Sequence, residues 1–250
     1  LGKRNRVDIQ DKAPRNVTAK AKRPRDLLNP IKPITEGQER LLQSIWKNDI
    51  TICDGPAGTG KTLLTTYCAF DFYLQSPHNR RIILVRPTIP AGDDNDLGFI
   101  PGTINEKMRP FLAPLMTDAA PLILNGDSFR TNLNHFDRGA PDPMTALLSR
   151  FDIEIVPLQY MRGRTFNNCF VILDEAQNCT KNDLRLFITR IGMGSKYVIE
   201  GDSTQVDRED SFLDEFIDRM QGARDVGTVR LTEDDIVRNP LIADLLKRLA

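Results

Sequence analysis

Short apolar runs recur along the chain, and stretches with helical periodicity separate most of them. The runs at 49–53, 81–85, 169–173 and 196–199 have the length of buried strands, and 152–156 and 228–231 are two further candidates. Between the first two, 63–74 is apolar on most sides, as a helix packed against a sheet would be. Leu184, Phe187, Ile188 and Ile191 follow the i, i+3, i+4, i+7 rule of an amphipathic helix. Thr35, followed three residues later by Gln38, reads as a capping box that opens a helix running to about Lys47. Strand and helix alternating in this way predict an α/β fold, a mostly parallel sheet with helices on both faces.

Two stretches break the rhythm. From about residue 88 to 152 the chain is rich in proline, carries an acidic turn with Asp93, Asp94 and Asp96, and has one helical candidate at 104–116. That is too long for a plain connection, so an inserted helical and loop segment is expected at the edge or top of the sheet. Residues 1–30 read as a flexible arm that ends at the boundary marked by Pro30 and Pro33, leaving 31–250 as a single domain.

Charge sharpens this division. The 250 residues carry 34 Lys and Arg against 34 Asp and Glu. Within residues 1–26, however, nine cations face only Asp8, Asp11 and Asp26, a net of +6 that leaves −6 for the remainder. Such an arm suits attraction to phosphates, and equally a merely solubilising tail. No run approaches the ~18 apolar residues of a membrane-spanning helix, so no membrane association is expected. Cys53, Cys68, Cys169 and Cys179 form no CxxC pair and have no metal-site spacing with His78 or His135. They read as small buried hydrophobes in a reduced, cytoplasmic protein.

The most specific signal is Gly55-Pro56-Ala57-Gly58-Thr59-Gly60-Lys61-Thr62, a G-x-x-x-x-G-K-[ST] loop between an apolar strand and a helix. Its glycines let successive backbone N–H groups turn toward a phosphate, and the helix N-terminus adds its positive dipole end. Lys61 is placed to reach the β and γ phosphates of ATP, and the Thr62 hydroxyl to ligate Mg²⁺. A second signal is the strand 171–173 ending in Asp174 and Glu175. Asp174 is expected to hold Mg²⁺ through water and Glu175 to polarise an attacking water. Gly201-Asp202-Ser203-Thr204-Gln205 ends another apolar run, either as a plain turn or as a contact to the γ-phosphate. Arg86, Arg162, Arg164 and Arg238 fall at strand ends or in polar turns, where each is either a surface ion pair or a cation for the phosphate in flight.

Together these runs resemble the PhoH family of P-loop ATPases, related to superfamily-one helicase cores. The resemblance rests on GPAGTGKT (55–62), ILVRPTIPAG (83–92), LGFIPGTINEKMRPFLAPL (97–115), IEIVPLQYMRGRTFNNCFVILDEAQN (153–178), FITRIGMGSKYVIEGDSTQVD (187–207) and DDIVRNPL (234–241). It implies a RecA-like core, ATP hydrolysis with Mg²⁺, a role on RNA or single-stranded DNA with helicase-like character, and an association with phosphate starvation. It also implies that Gln38 reads adenine, that Gln205 senses phosphate, that Arg238 approaches the γ-phosphate, and that Arg86 and Thr88 contact nucleic-acid backbone. The acidic turn at 93–96 departs from the family pattern by its length, and no fused nuclease-like domain is expected, hence no ribonuclease activity. Phe99 and Phe111 are candidates for base stacking, with core packing as the alternative.

Other readings of the same loop are a nucleotide-gated assembly module without motor activity, and a P-loop kinase. Glu175 and the 201–205 turn favour water over a metabolite as acceptor. About 220 residues beyond the arm suffice for one motor, so the second wall of the cleft is expected from another copy, in a homo-oligomeric ring, hexameric by analogy with RecA-like rings. Arg238, Arg162 or Arg164 would then act in cis or in trans.

Overall fold

The computed structural model describes residues 27–76, 79–87, 119–125 and 143–237. Six strands form one parallel sheet: β1 (Ile50–Asp54), β2 (Arg81–Arg86), β3 (Ile153–Pro157), β4 (Cys169–Leu173), β5 (Lys196–Gly201) and β6 (Val226–Arg230), in the order β3-β2-β4-β5-β1-β6. Each lies within two residues of the run that predicts it. The helices described are α1 (Glu36–Lys47), α2 (Lys61–Gln75), α3 (Ala120–Ile123), α4 (Pro143–Arg150), α5 (Lys181–Ile188) and α6 (Leu213–Met220).

The central strands are buried along most of their length and largely apolar because both faces are covered. Every residue of β4 is buried, and its side chains alternate between two cores. Phe170 and Ile172 join a cluster with Leu64, Cys68 and Phe72 of α2 and Leu41 and Ile45 of α1. Val171 and Leu173 join the opposite one, with Leu184 and Phe187 of α5 and Phe216 and Ile217 of α6. Each such side chain contributes roughly 1.5–3 kcal/mol by leaving water. All four cysteines lie in these cores as free thiols, and burial pushes each thiol's pKa up.

Some local expectations change. α5 stops at Ile188, and Ile191 instead forms a parallel bridge with Phe166. At α1 the box is half-formed: Thr35 Oγ1 accepts from the Gln38 N–H, but the Gln38 side chain reaches the N–H of Ile34 rather than that of Thr35. A complete box opens α5, between Thr180 and Asp183. Parts of the insertion pack into the core rather than standing off it. Ala120, Ile123, Leu147 and Phe151 are buried, and the Phe151 ring lies 4.5 Å from that of Phe70 on α2. The segment leading into α1 pairs with it: Leu28 bridges Leu124, and the Asn29 N–H donates to the Ile123 carbonyl at 2.7 Å. The expected helix at 104–116 and arm residues 1–26 lie outside the described residues.

Candidate active site

All six strands point the same way, so their C-terminal ends share one rim, the edge where open α/β sheets bind ligands. β1 ends at Asp54 and the chain turns through Gly55–Gly60 into α2. Gly58 (φ +87°) and Gly60 (φ +85°) take left-handed conformations that a side chain would strain. Thr59 Oγ1 donates to the Pro56 carbonyl at 2.9 Å, and the Lys61 ammonium donates to the carbonyls of Gly55 and, at 3.0 Å, Pro56.

β5 alone separates β1 from β4, which sets the two strand ends about 10 Å apart. At the end of β4 the backbone turns sharply: Glu175 sits at φ +58°, unusual for a residue other than glycine, and both Asp174 and Glu175 line the cleft. Arg86, from the end of β2, donates to Glu175 Oε1 at 2.5 Å and stands 3.6 Å from Asp174 Oδ2. Gln177 donates to the other oxygen, Glu175 Oε2, at 2.6 Å. Burial raises the Asp174 carboxyl above its ordinary range; Arg86 opposes that and the charge of Glu175 adds to it.

The end of β5 completes the rim. The amide oxygen of Gln177 accepts from the Asp202 N–H at 3.1 Å, and Asp202 Oδ2 accepts from Gln205 Nε2 at 2.9 Å. One residue before the end of that strand lies Glu200, 1% exposed, with Thr65 Oγ1 of α2 donating to Oε2 at 3.1 Å and no hydrogen-bond partner for Oε1 among the described residues. Burial pushes this carboxyl from 4.5 to about 8; the charge of Asp174 adds to the rise and Lys61 opposes it.

These residues enclose a cleft of 660 Å³ that brings together Ala57, Gly58, Thr59, Gly60, Lys61, Thr62, Asp174, Glu175 and Gln205. Gln38 stands behind the loop, 3% exposed, donating from Nε2 to the Thr59 carbonyl at 2.9 Å. Arg164 does not join the cleft. It forks onto Glu154 of the edge strand β3, with contacts of 2.7 and 2.8 Å, and lies over the Phe166 ring. Arg162 is exposed on the same side. Arg86 faces the two carboxylates rather than open solvent. Arg238, Thr88, Phe99 and Phe111 lie outside the described residues. Sequence reading overlooked Gln177 and Val237, both of which line the cleft; the signal for Gln177 is its position in the same DEAQN run.

A glycine-rich loop joining a buried strand to a helix, faced by carboxylates one strand away on a parallel sheet, defines the P-loop NTPase fold. The large terminase of a thermophilic bacteriophage, solved in complex with ADP, shares that fold: TM-score 0.50, 14% identity, covering 87% of this chain and 50% of its own. The chain belongs to the PhoH family, whose model, described as PhoH-like protein, matches residues 30–250. It is 40% identical over 223 residues to a PhoH-like protein of Mycobacterium tuberculosis (strain ATCC 25618 / H37Rv), covering 88% of this chain, and 39% identical over 220 residues to one of Bacillus subtilis (strain 168), covering 87%. It spans 58% and 63% of the lengths of those two relatives. No described helix is long and apolar enough to cross a membrane.

Proposed function

We propose that the cleft binds ATP and hydrolyses it, and that hydrolysis is coupled to binding of RNA or single-stranded DNA. The observation that carries hydrolysis is the position of Glu175 in the same cleft as Lys61, with Gln177 and Gln205 beside it. A water next to the γ-phosphate would meet a carboxylate base there. On nucleotide binding, Lys61 would exchange the carbonyls of Gly55 and Pro56 for phosphate oxygens. Thr62 and Asp174 offer hard oxygen donors on one cleft, a set that fits Mg²⁺, and the ion would neutralise phosphate charge. Gln38, as an adenine reader, would have to release Ile34 or Thr59.

Arg86 supports the coupling. A nucleic-acid phosphate that drew its guanidinium away would free Glu175 Oε1, linking nucleic-acid binding to the base. A nucleotide-gated module is the second reading, favoured by the fact that both Glu175 oxygens are bonded. ATP turnover measured with and without single-stranded RNA separates the readings. Stimulation supports coupling, its absence favours the module, and phosphate appearing on an added metabolite would favour a kinase.

A ring of identical chains fits the arginines. Arg164 is held by Glu154 on the edge strand β3, and neither Arg162 nor Arg164 lines the cleft, so in a ring both would serve a neighbour's cleft. A monomer retaining full ATPase activity in light scattering at low concentration would defeat the ring.

A further inference from the structure

The tip of the phosphate loop is held by two hydrogen bonds, one to each of two successive carbonyls. The Val237 N–H donates to the Gly58 carbonyl at 3.1 Å, and Gln38 Nε2 donates to the Thr59 carbonyl at 2.9 Å. A trans peptide sets its C=O and the following N–H on opposite sides. Fixing these two carbonyls therefore also fixes the direction of the N–H groups of Thr59 and Gly60, two residues that line the cleft. The pins come from segments far apart in sequence, and one side chain joins them.

That side chain is Asp235, 5% exposed. Its Oδ1 accepts from Thr35 Oγ1 at 2.6 Å and from the Gly37 N–H at 3.1 Å, in the first turn of the helix that carries Gln38. Its Oδ2 accepts from the Thr232 N–H at 2.9 Å, at the start of the turn that leads to Val237. The fit is close: a Cβ on Gly37 would stand 2.3 Å from Asp235 Oδ1, so the carboxylate sits in space that only glycine leaves open. A carboxylate beside first-turn N–H groups is also well placed against the helix dipole.

We propose that Asp235 is a positioning residue for nucleotide binding: it locks the α1 terminus and the 232–237 segment into one brace that holds the phosphate loop in its anion-binding shape. This rests on the reading of the cleft as a nucleotide site.

Asp235→Asn keeps the size but sets an NH₂ group against one of the donors, either Thr232 N–H or the Thr35 and Gly37 pair. In the full chain, titration with a fluorescent ADP analogue should show roughly tenfold weaker binding. Ser195→Ala is the control. It removes a buried hydroxyl that bonds Cys169 N and the Phe166 carbonyl, away from the cleft, and should lower the melting temperature without changing affinity. In a Gln38→Ala background, Asp235→Asn should cost distinctly less than in the parent, since the brace is already broken. If Asp235→Asn does not fold, Thr35→Val removes the bond to Asp235 Oδ1, together with the N-cap bond from the Gln38 N–H, and is read in the same way. Unchanged affinity in a folded variant, equal loss in Ser195→Ala, or simple additivity with Gln38→Ala overturns the brace while leaving the nucleotide site standing. A parent chain that binds no nucleotide overturns both.

Discussion

Gln177 donates to Glu175 Oε2 at 2.6 Å and, through its amide oxygen, also holds the Asp202 N–H. One side chain thus joins the ends of the neighbouring strands β4 and β5 at the rim of the cleft. Gln177→Ala frees one oxygen of Glu175 and unties the 201–205 turn. Turnover should fall by on the order of 10-fold to 100-fold while nucleotide affinity stays near that of the parent, because misplacement affects the reacting geometry more than binding. Steady-state kinetics with a separate binding titration checks the split; a loss confined to affinity would place Gln177 on the ligand instead.

Lys61 and Glu175 should divide binding from chemistry. Lys61→Ala is expected to weaken nucleotide binding by roughly tenfold or more, since it removes charge-assisted contacts to phosphate. Glu175→Gln should bind nucleotide yet turn it over about 10²–10⁴ times more slowly. Normal turnover in Glu175→Gln would sink its assignment as the base.

Arg86 holds the Asp174 carboxyl down against burial and the charge of Glu175. Arg86→Ala should therefore move the acidic limb of the turnover profile to higher pH, because the site must lose a proton that it then keeps more tightly. Single-stranded RNA affinity measured in the same variant separates its two possible duties. A residue serving only the carboxylates would leave RNA binding unchanged.

Glu200 predicts a pH-dependent stability. Its folded carboxyl keeps its proton up to about pH 8, whereas an ordinary one ionises near 4.5, so in between the folded state binds more protons and stability falls as pH rises. The groups that set this are Asp174, Lys61, Thr65 and Glu175. Glu200→Gln stays neutral and should melt higher than the parent at pH 8, with the gap narrowing toward pH 5. Parallel melting curves across that window would show that the folded carboxyl is ionised there, as an ordinary one is.

Removing residues 1–26 tests the basic arm. If its cations meet phosphates, the fall of RNA affinity with salt should become shallower. An identical slope would leave the arm a solubilising tail.

The strands and the phosphate loop were legible because they are local. Buried β4 shows as an unbroken apolar run, and GPAGTGKT needs only its flanking strand and helix for its geometry. What escaped depends on contacts between distant segments. Nothing near Gln38 says that its amide leaves the capping box for Ile34 and Thr59. Nothing near Asp235 says that its partners are Thr35 and Gly37, 200 and 198 positions earlier. The arginines show the reverse. By sequence Arg164 reads as either a surface ion pair or a catalytic cation, and only the fold shows its partner, Glu154 on the edge strand.

The Val237 pin also bears on the order in which the protein is made. The loop at Gly58 leaves the ribosome well before its backbone partner. At roughly 5–20 residues per second the delay is about 10–35 s. A nascent chain in that interval carries the complete GPAGTGKT sequence without one of the two bonds that hold its tip, and gains that bond only late in synthesis, with the segment that follows β6.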